Sequence, residues 1–186
     1  MSLCDDLVGV PDSCGDNNLG SIKRALIADF ADVTDYTVTD TGTDPDTDGE
    51  VSAITMASGT KFEEFVLVKD TSMWSEDDVI DLVADTNSWS QTVTLGLRRI
   101  DLRKRNALQL LVTGRRNLVT ITEDFNGDYW IQGLDQGMRM SAGSKTTNET
   151  RSAGQALPTT LTSENEKFPA YKVDSDIIAD LLTAAA

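Results

Sequence analysis

Along residues 91–100, QTVTLGLRRI, the apolar side chains of Val93, Leu95 and Leu97 alternate with Thr92, Thr94 and Arg98. A period of two places the first set on one face and the second on the other, which predicts a half-buried strand. Residues 117–122 and 129–134 alternate in the same way on either side of Asn126-Gly127, a strong turn signal, and so predict a strand, a turn and a strand. Residues 51–56 and 62–69 read as two more strands, joined across Ala57-Ser58-Gly59-Thr60, where the glycine supplies a position for positive φ. Residues 22–30 suit a first strand or a short helix. Residues 71–90 are acidic and less regular, and DDVIDLVAD within them predicts either a strand pair or a helical turn.

The period changes between the strands. Ala107, Leu108, Leu111 and Val112 recur at helical spacing, with Asp101 placed as N-cap and Gly114 as stop, so a helix is expected over about 101–113. Its other face carries Arg103, Lys104 and Arg105. Near the C-terminus Ile177-Ile178 and Leu181-Leu182 stand four apart behind a capping Asp174 or Ser175, which predicts a short amphipathic helix that needs a surface to dock on. Residues 1–20 hold no sustained period and read as an extended arm. Residues 35–50, DYTVTDTGTDPDTDGE, are almost without apolar side chains after Val38 and read as a solvated loop or a long hairpin tip. The expected organisation is an N-terminal arm at 1–20, a β domain at 21–173 and a C-terminal helix or tail at 174–186. The fold class is mainly β, a sandwich or barrel with one packed helix.

Length adds that 186 residues suffice for one domain with a sizeable core. No apolar run approaches the roughly 18 residues needed to cross a bilayer, and MSLCDDLVGV lacks the basic and apolar segments of a signal peptide. The expectation is an unexported, soluble product without a membrane anchor. The formal net charge of -15 is unevenly spread. Arg98, Arg99, Arg103, Lys104, Arg105, Arg115 and Arg116 stand against the single acid Asp101, a local +6, so the remainder carries -21. An acidic body repels phosphates and argues against a protein that grips nucleic acid. The basic island suits either a solvated helix or contact with an acidic surface on another copy.

The chain has no histidine, which removes Ser-His-Asp and Cys-His catalysis, histidine metal ligands and the usual near-neutral proton shuttle. Cys4 and Cys14 are the two cysteines, open either to a disulfide closing a short loop or, as a protein made in the cytosol favours, to two free thiols. Two stretches resemble calcium loops. Asp44, Asp46 and Asp48 open DPDTDG, but the twelfth loop position is Thr55, inside an expected strand, and no helix flanks the loop, so they remain weak metal candidates. Asp124, Asn126 and Asp128 have the same spacing, yet the position that needs glycine is Tyr129, and the flanking alternation favours a hairpin tip. Adjacent acids such as Glu63-Glu64 and Asp77-Asp78 point apart in regular structure and read as solvated surface. Trp74, Trp89, Trp130 and Tyr129 suit a core more than a stacking platform. No catalytic residue or cofactor is expected.

The order of these elements resembles the major tail tube and related tail structural proteins of tailed bacteriophages. The resemblance runs over about residues 21–173. It rests on GSIKRALIADFADVTDYTV, SAITMASGTKFEEFVLVKDTSMW, the strand and helix of 90–113, the E-D-x-N-G-x-aromatic hairpin between Val119 and Trp130, the glycines Gly133, Gly137 and Gly143, and a last strand over 161–170. Pro158 is expected to confine that strand to an edge or a bulge. The resemblance implies a structural virion protein, made in the host cytoplasm and located in the tail. Its copies would form rings, usually hexameric, that stack with each other and with other tail proteins into a conduit for genome ejection; the alternatives are a ring, adaptor or tail-completion protein on the same fold, or a monomeric calcium-dependent β binding module. The genome would pass through without specific binding. The basic residues 98–116 would then meet an acidic face of the next ring, while the arm and the 35–50 loop reach neighbours.

Overall fold

The computed structural model describes residues 20–39, 49–81, 86–98, 106, 109, 114–144 and 156–182. Among these the chain is mainly β, with two sheets and a C-terminal helix. The larger sheet is built around β7 (Leu118–Asp124), flanked by β1 (Ile22–Asp29) and β8 (Tyr129–Gln132). It extends through β4 (Glu63–Val66) to one edge, and through β11 (Tyr171–Val173) and β3 (Glu50–Met56) to β2 (Val33–Val38) at the other. The smaller sheet has the order β5 (Met73–Asp81), β6 (Thr86–Arg98), β10 (Ala156–Glu166), β9 (Arg139–Gly143).

Alternation explains how the layers stack. Ala25, Ile27 and Leu118 point from the larger sheet toward Val93, Leu95, Leu97, Leu157 and Leu161 of the smaller one, forming the core of a β-sandwich. The intervening residues Leu26, Ala28, Val119 and Ile121 point the opposite way into a second core. Phe62, between β3 and β4, and α1 (Ser175–Leu181) close that second core. Thus β7 is buried on both faces from Leu118 to Glu123. A helix of seven residues is too short to persist alone in water. Here the Asp174 carboxylate caps it, accepting from the Asp176 N–H at 2.9 Å, and Ile178 and Leu181 are buried against Val51 and Phe62. Burying a large apolar side chain such as Phe62 contributes about 1.5–3 kcal/mol.

Several expectations change in detail. Of the two readings offered within residues 71–90 the strand pair is the one found, with β5 antiparallel to β6 from Met73↔Thr94 to Asp81↔Thr86. Residues 33–38, at the start of the expected loop, are strand β2. The strands on either side of Ala57–Thr60 do not pair with each other. β3 lies between β2 and β11, and β4 forms the far edge beside β1. Pro158 sits in an inner strand, opposite Gly96 of β6. Its carbonyl accepts from the Ser144 N–H at 3.1 Å, so its nitrogen faces the end of β9 and costs β6 no ladder bond.

Asn106, Gln109 and Gly114 are helical, and the rest of the helix expected over 101–113 lies outside the described residues. So do residues 1–19 with Cys4 and Cys14, and the loop carrying Asp44, Asp46 and Asp48.

Between β4 and β5 the chain changes sheets. The Val68 N–H donates to the Gly96 carbonyl at 2.8 Å, and the Gly96 N–H donates to the Ser72 hydroxyl at 2.9 Å. The crossing passes so close to β6 that a Cβ on Gly96 would stand 2.8 Å from Thr71 Cβ. A side chain there would force Thr71 or the crossing itself to shift.

Candidate assembly surface

The β7–β8 tip settles the first question of chemistry. Asp124 Oδ1 accepts from the main-chain N–H of Asn126 at 2.8 Å and of Asp128 at 3.0 Å, and Gly127 adopts φ +94°. The carboxylate therefore organises the turn, in the manner of an Asx-turn. Asp128 pairs with Lys172 of β11 at 2.9 Å, a bond that raises the Lys172 pKa above its ordinary value. Among the described residues no group of three or more Cys, Asp or Glu side chains is placed to hold a metal ion.

Just beyond the tip lies a charged cluster that sequence reasoning missed. Glu123, buried to 4% exposure, receives hydrogen bonds from Lys23 and from Arg24. Arg24 also reaches Glu64 at 3.2 Å and the Tyr129 hydroxyl at 2.9 Å. Burial alone would raise the Glu123 carboxyl, but the bonds from Lys23 and Arg24 outweigh it and hold the carboxyl below its ordinary value. The cluster joins β4, β1, β7 and β8 and is a fastening of the larger sheet.

A second polar row fastens the two sheets together. Glu76, Gln91 and Ser163 lie side by side across β5, β6 and β10. Gln91 donates to Glu76 Oε2 at 2.9 Å and to the Phe168 carbonyl at 3.3 Å, and accepts from the Gly133 N–H at 2.9 Å. Glu76 also accepts from the Ala170 N–H at 2.6 Å. Glu166, buried beside the row, accepts from the N–H groups of Asp135 and Gln136 and from the Ser163 hydroxyl. Glu76 Oε2 and both carboxylate oxygens of Glu166 are thus engaged with structure. Trp74 and Trp130 meet from the two sheets with ring centroids 5.5 Å apart.

The uncommitted chemistry is at the margins of the smaller sheet. β5 is its outer strand, nine residues long, and carries Met73, Val79 and Ile80 at 57%, 46% and 66% exposure. β10 leaves β6 at Trp89, whereas β5 and β6 stay paired to Asp81↔Thr86. The far end of the β5–β6 hairpin is thus two-stranded from Val79 to Asp81, and Asp77, Asp78, Val79 and Ile80, at and just before it, are all exposed. At the opposite edge, Arg139 of β9 donates from Nε to Asn117 Oδ1 at 2.6 Å. It borders an open polar cleft of about 360 Å³ whose lining includes Gln136, Ser163 and Glu164.

Of the seven basic residues expected at an interface, Arg115 and Arg116 are described in full and flank this corner. Arg116 pairs with Asp29 at 2.9 Å, and Arg115 is exposed with positive φ. Arg98 ends β6, while Arg99, Arg103, Lys104 and Arg105 lie outside the described residues. Arg139 joins the set only through the fold. The Leu118↔Met138 bridge brings it beside Asn117, 22 positions away. No family model, no curated protein and no solved structure matches this chain.

Proposed function

We propose that the chain is a structural subunit that self-assembles, in the manner of the tail tube proteins whose element order it resembles. On this reading copies form rings, hexameric in the simplest case, that stack into a conduit for genome ejection in a virion tail. The chain performs no catalysis of its own. The observation that carries the proposal is the outer edge of β5, nine residues of strand with three exposed aliphatic or thioether side chains. A long edge with apolar side chains is a template for association, and proteins that stay monomeric blunt such edges. β5 has no proline or lysine, and its exposed charges, Asp77 and Asp78, are acids that leave the edge open to a basic partner.

Charge supports the same reading. The excess of acids disfavours adhesion of a phosphate backbone to the assembled surface, which suits a conduit. The polar groups that enzymes and binding modules use to hold ligands are here largely engaged in fastening strands, as at Asp124, Gln91 and Glu166. Sedimentation velocity of the purified chain across a wide range of concentration tests the proposal. Growth from monomer to a discrete closed oligomer is expected, and a single monomeric species throughout would refute it.

A further inference from the structure

We infer that the projecting end of the β5–β6 hairpin docks on the basic corner formed by Arg115, Arg116 and Arg139 of a second copy of the chain. The inference rests on the self-assembly reading and names the contact that drives it.

The hairpin end is under-supported in the monomer. An isolated two-stranded ribbon is marginally stable in water, and the pairs Val79↔Ser88, Ile80↔Asn87 and Asp81↔Thr86 have no third strand beside them among the described residues. Val79 and Ile80 are consecutive, so they point to opposite faces, and both are exposed. Each face of the ribbon offers one aliphatic side chain with an exposed acid two positions before it, Asp77 before Val79 and Asp78 before Ile80. A ribbon of this kind is completed by a surface that is basic and supplies cover.

The corner has the matching charge. Among the described residues, Asp77 and Asp78 make no ion pair, and neither do Arg115 and Arg139. Asn117 holds the Arg139 guanidinium through Nε only, which leaves its terminal nitrogens for a carboxylate. Arg116 is shared with Asp29 and adds to the local field.

The strand register shows why the partner is a second copy. Ser75, Thr92, Thr162 and Arg139 lie in one row across β5, β6, β10 and β9. Arg139 is therefore level with Ser75 on the opposite edge, three strand spacings or about 14 Å away, and the two-stranded end begins four residues farther along β5, at Val79. The hairpin of one chain cannot reach round its own sheet to that corner. Two different surfaces of the same molecule then meet, a heterologous contact that repeats until it closes into a ring or extends as a filament. Nucleic acid, the other polyanion a basic corner attracts, is disfavoured by the acidic ribbon and body.

The test uses two full-length variants, Asp77→Lys with Asp78→Lys and Arg115→Glu with Arg139→Glu, studied by sedimentation velocity at low salt. All four side chains are exposed, and circular dichroism with thermal melting verifies folding. Each variant alone should associate roughly tenfold or more weakly than the wild type. An equimolar mixture should recover association, since the lysine hairpin fits the glutamate corner and the native pair of surfaces remains. A third variant, Val79→Ser with Ile80→Ser, should weaken association without reversing any charge. Wild-type assembly with unaffected variants, or a mixture of folded variants that fails to recover, overturns the inference and leaves the self-assembly reading standing. A wild type that stays monomeric overturns both.

Discussion

Glu166 on β10 accepts a 2.9 Å hydrogen bond from the main-chain N–H of Asp135, in the turn that carries the chain out of the larger sheet. The same carboxylate takes the N–H of Gln136 at 3.2 Å and the Ser163 hydroxyl, and it is 1% exposed. Replacing it by alanine leaves two main-chain donors and a hydroxyl without their acceptor. Glu166→Ala should therefore lower stability by about 2–4 kcal/mol in urea unfolding, because each orphaned buried donor costs about 1–3 kcal/mol and water recovers part of it.

The Glu123 cluster predicts a pH dependence. Its carboxyl titrates below the ordinary glutamate value in the folded chain because Lys23 and Arg24 donate to it, against the opposing effect of burial. A folded-state pKa that is lowered gives stability that is present above the unfolded value and lost as pH falls through the folded one. Glu123→Gln should be less stable by about 1–3 kcal/mol at neutral pH. The difference from wild type should shrink as the solution is acidified below the ordinary carboxylate range, read from thermal melts over that range.

Gly96→Ala tests the crossing between sheets. The added methyl would lie 2.1 Å from Thr71 Oγ1 and 2.8 Å from its Cβ, with the Thr71 carbonyl at 3.2 Å. Since β6 is held on one side by β10 and on the other by β5, relief requires the crossing itself to move. A loss of about 1–3 kcal/mol is expected from overpacking. Gly96→Ala combined with Thr71→Gly should recover most of it.

Thr120 supplies a prediction of the opposite sign. It is fully buried on β7, and its hydroxyl oxygen has no hydrogen-bond partner. Thr120→Val keeps the shape and removes the uncompensated polar atom. The midpoint of denaturant unfolding should stay the same or rise, and a clear fall would reveal a partner for that hydroxyl, such as an ordered water.

How much of this was legible in the sequence depended on burial. β6 buries the face of Val93, Leu95 and Leu97 more deeply than the face of Thr92 and Thr94, so alternation announced it, and β7–β8, buried on both faces along β7, was announced by Asn126-Gly127 at its tip. α1 was legible from its cap and from Ile178 and Leu181. β5 was legible only as one of two alternatives, because an edge strand exposed on both faces at Asp77 to Ile80 has no reason to alternate. β10 was obscured by Pro158, whose nitrogen happens to face the end of β9. The polar rows were invisible for another reason. Gln91 is completed by the Gly133 N–H, 42 positions away, and Glu76 by the Ala170 N–H, 94 away, and a main-chain donor has no signature in the side-chain sequence. The basic island was legible as charge, yet Arg139 entered it only when β9 was placed beside Asn117.

The most direct measurement is electron microscopy of the purified full-length chain, in negative stain and then in vitreous ice. Rings, or tubes of stacked rings, are expected, in which the β5 edge and the hairpin end carrying Val79 and Ile80 are buried between neighbouring copies. Fields of separate monomers at high concentration, or rings in which that edge and hairpin remain exposed to solvent, would contradict it.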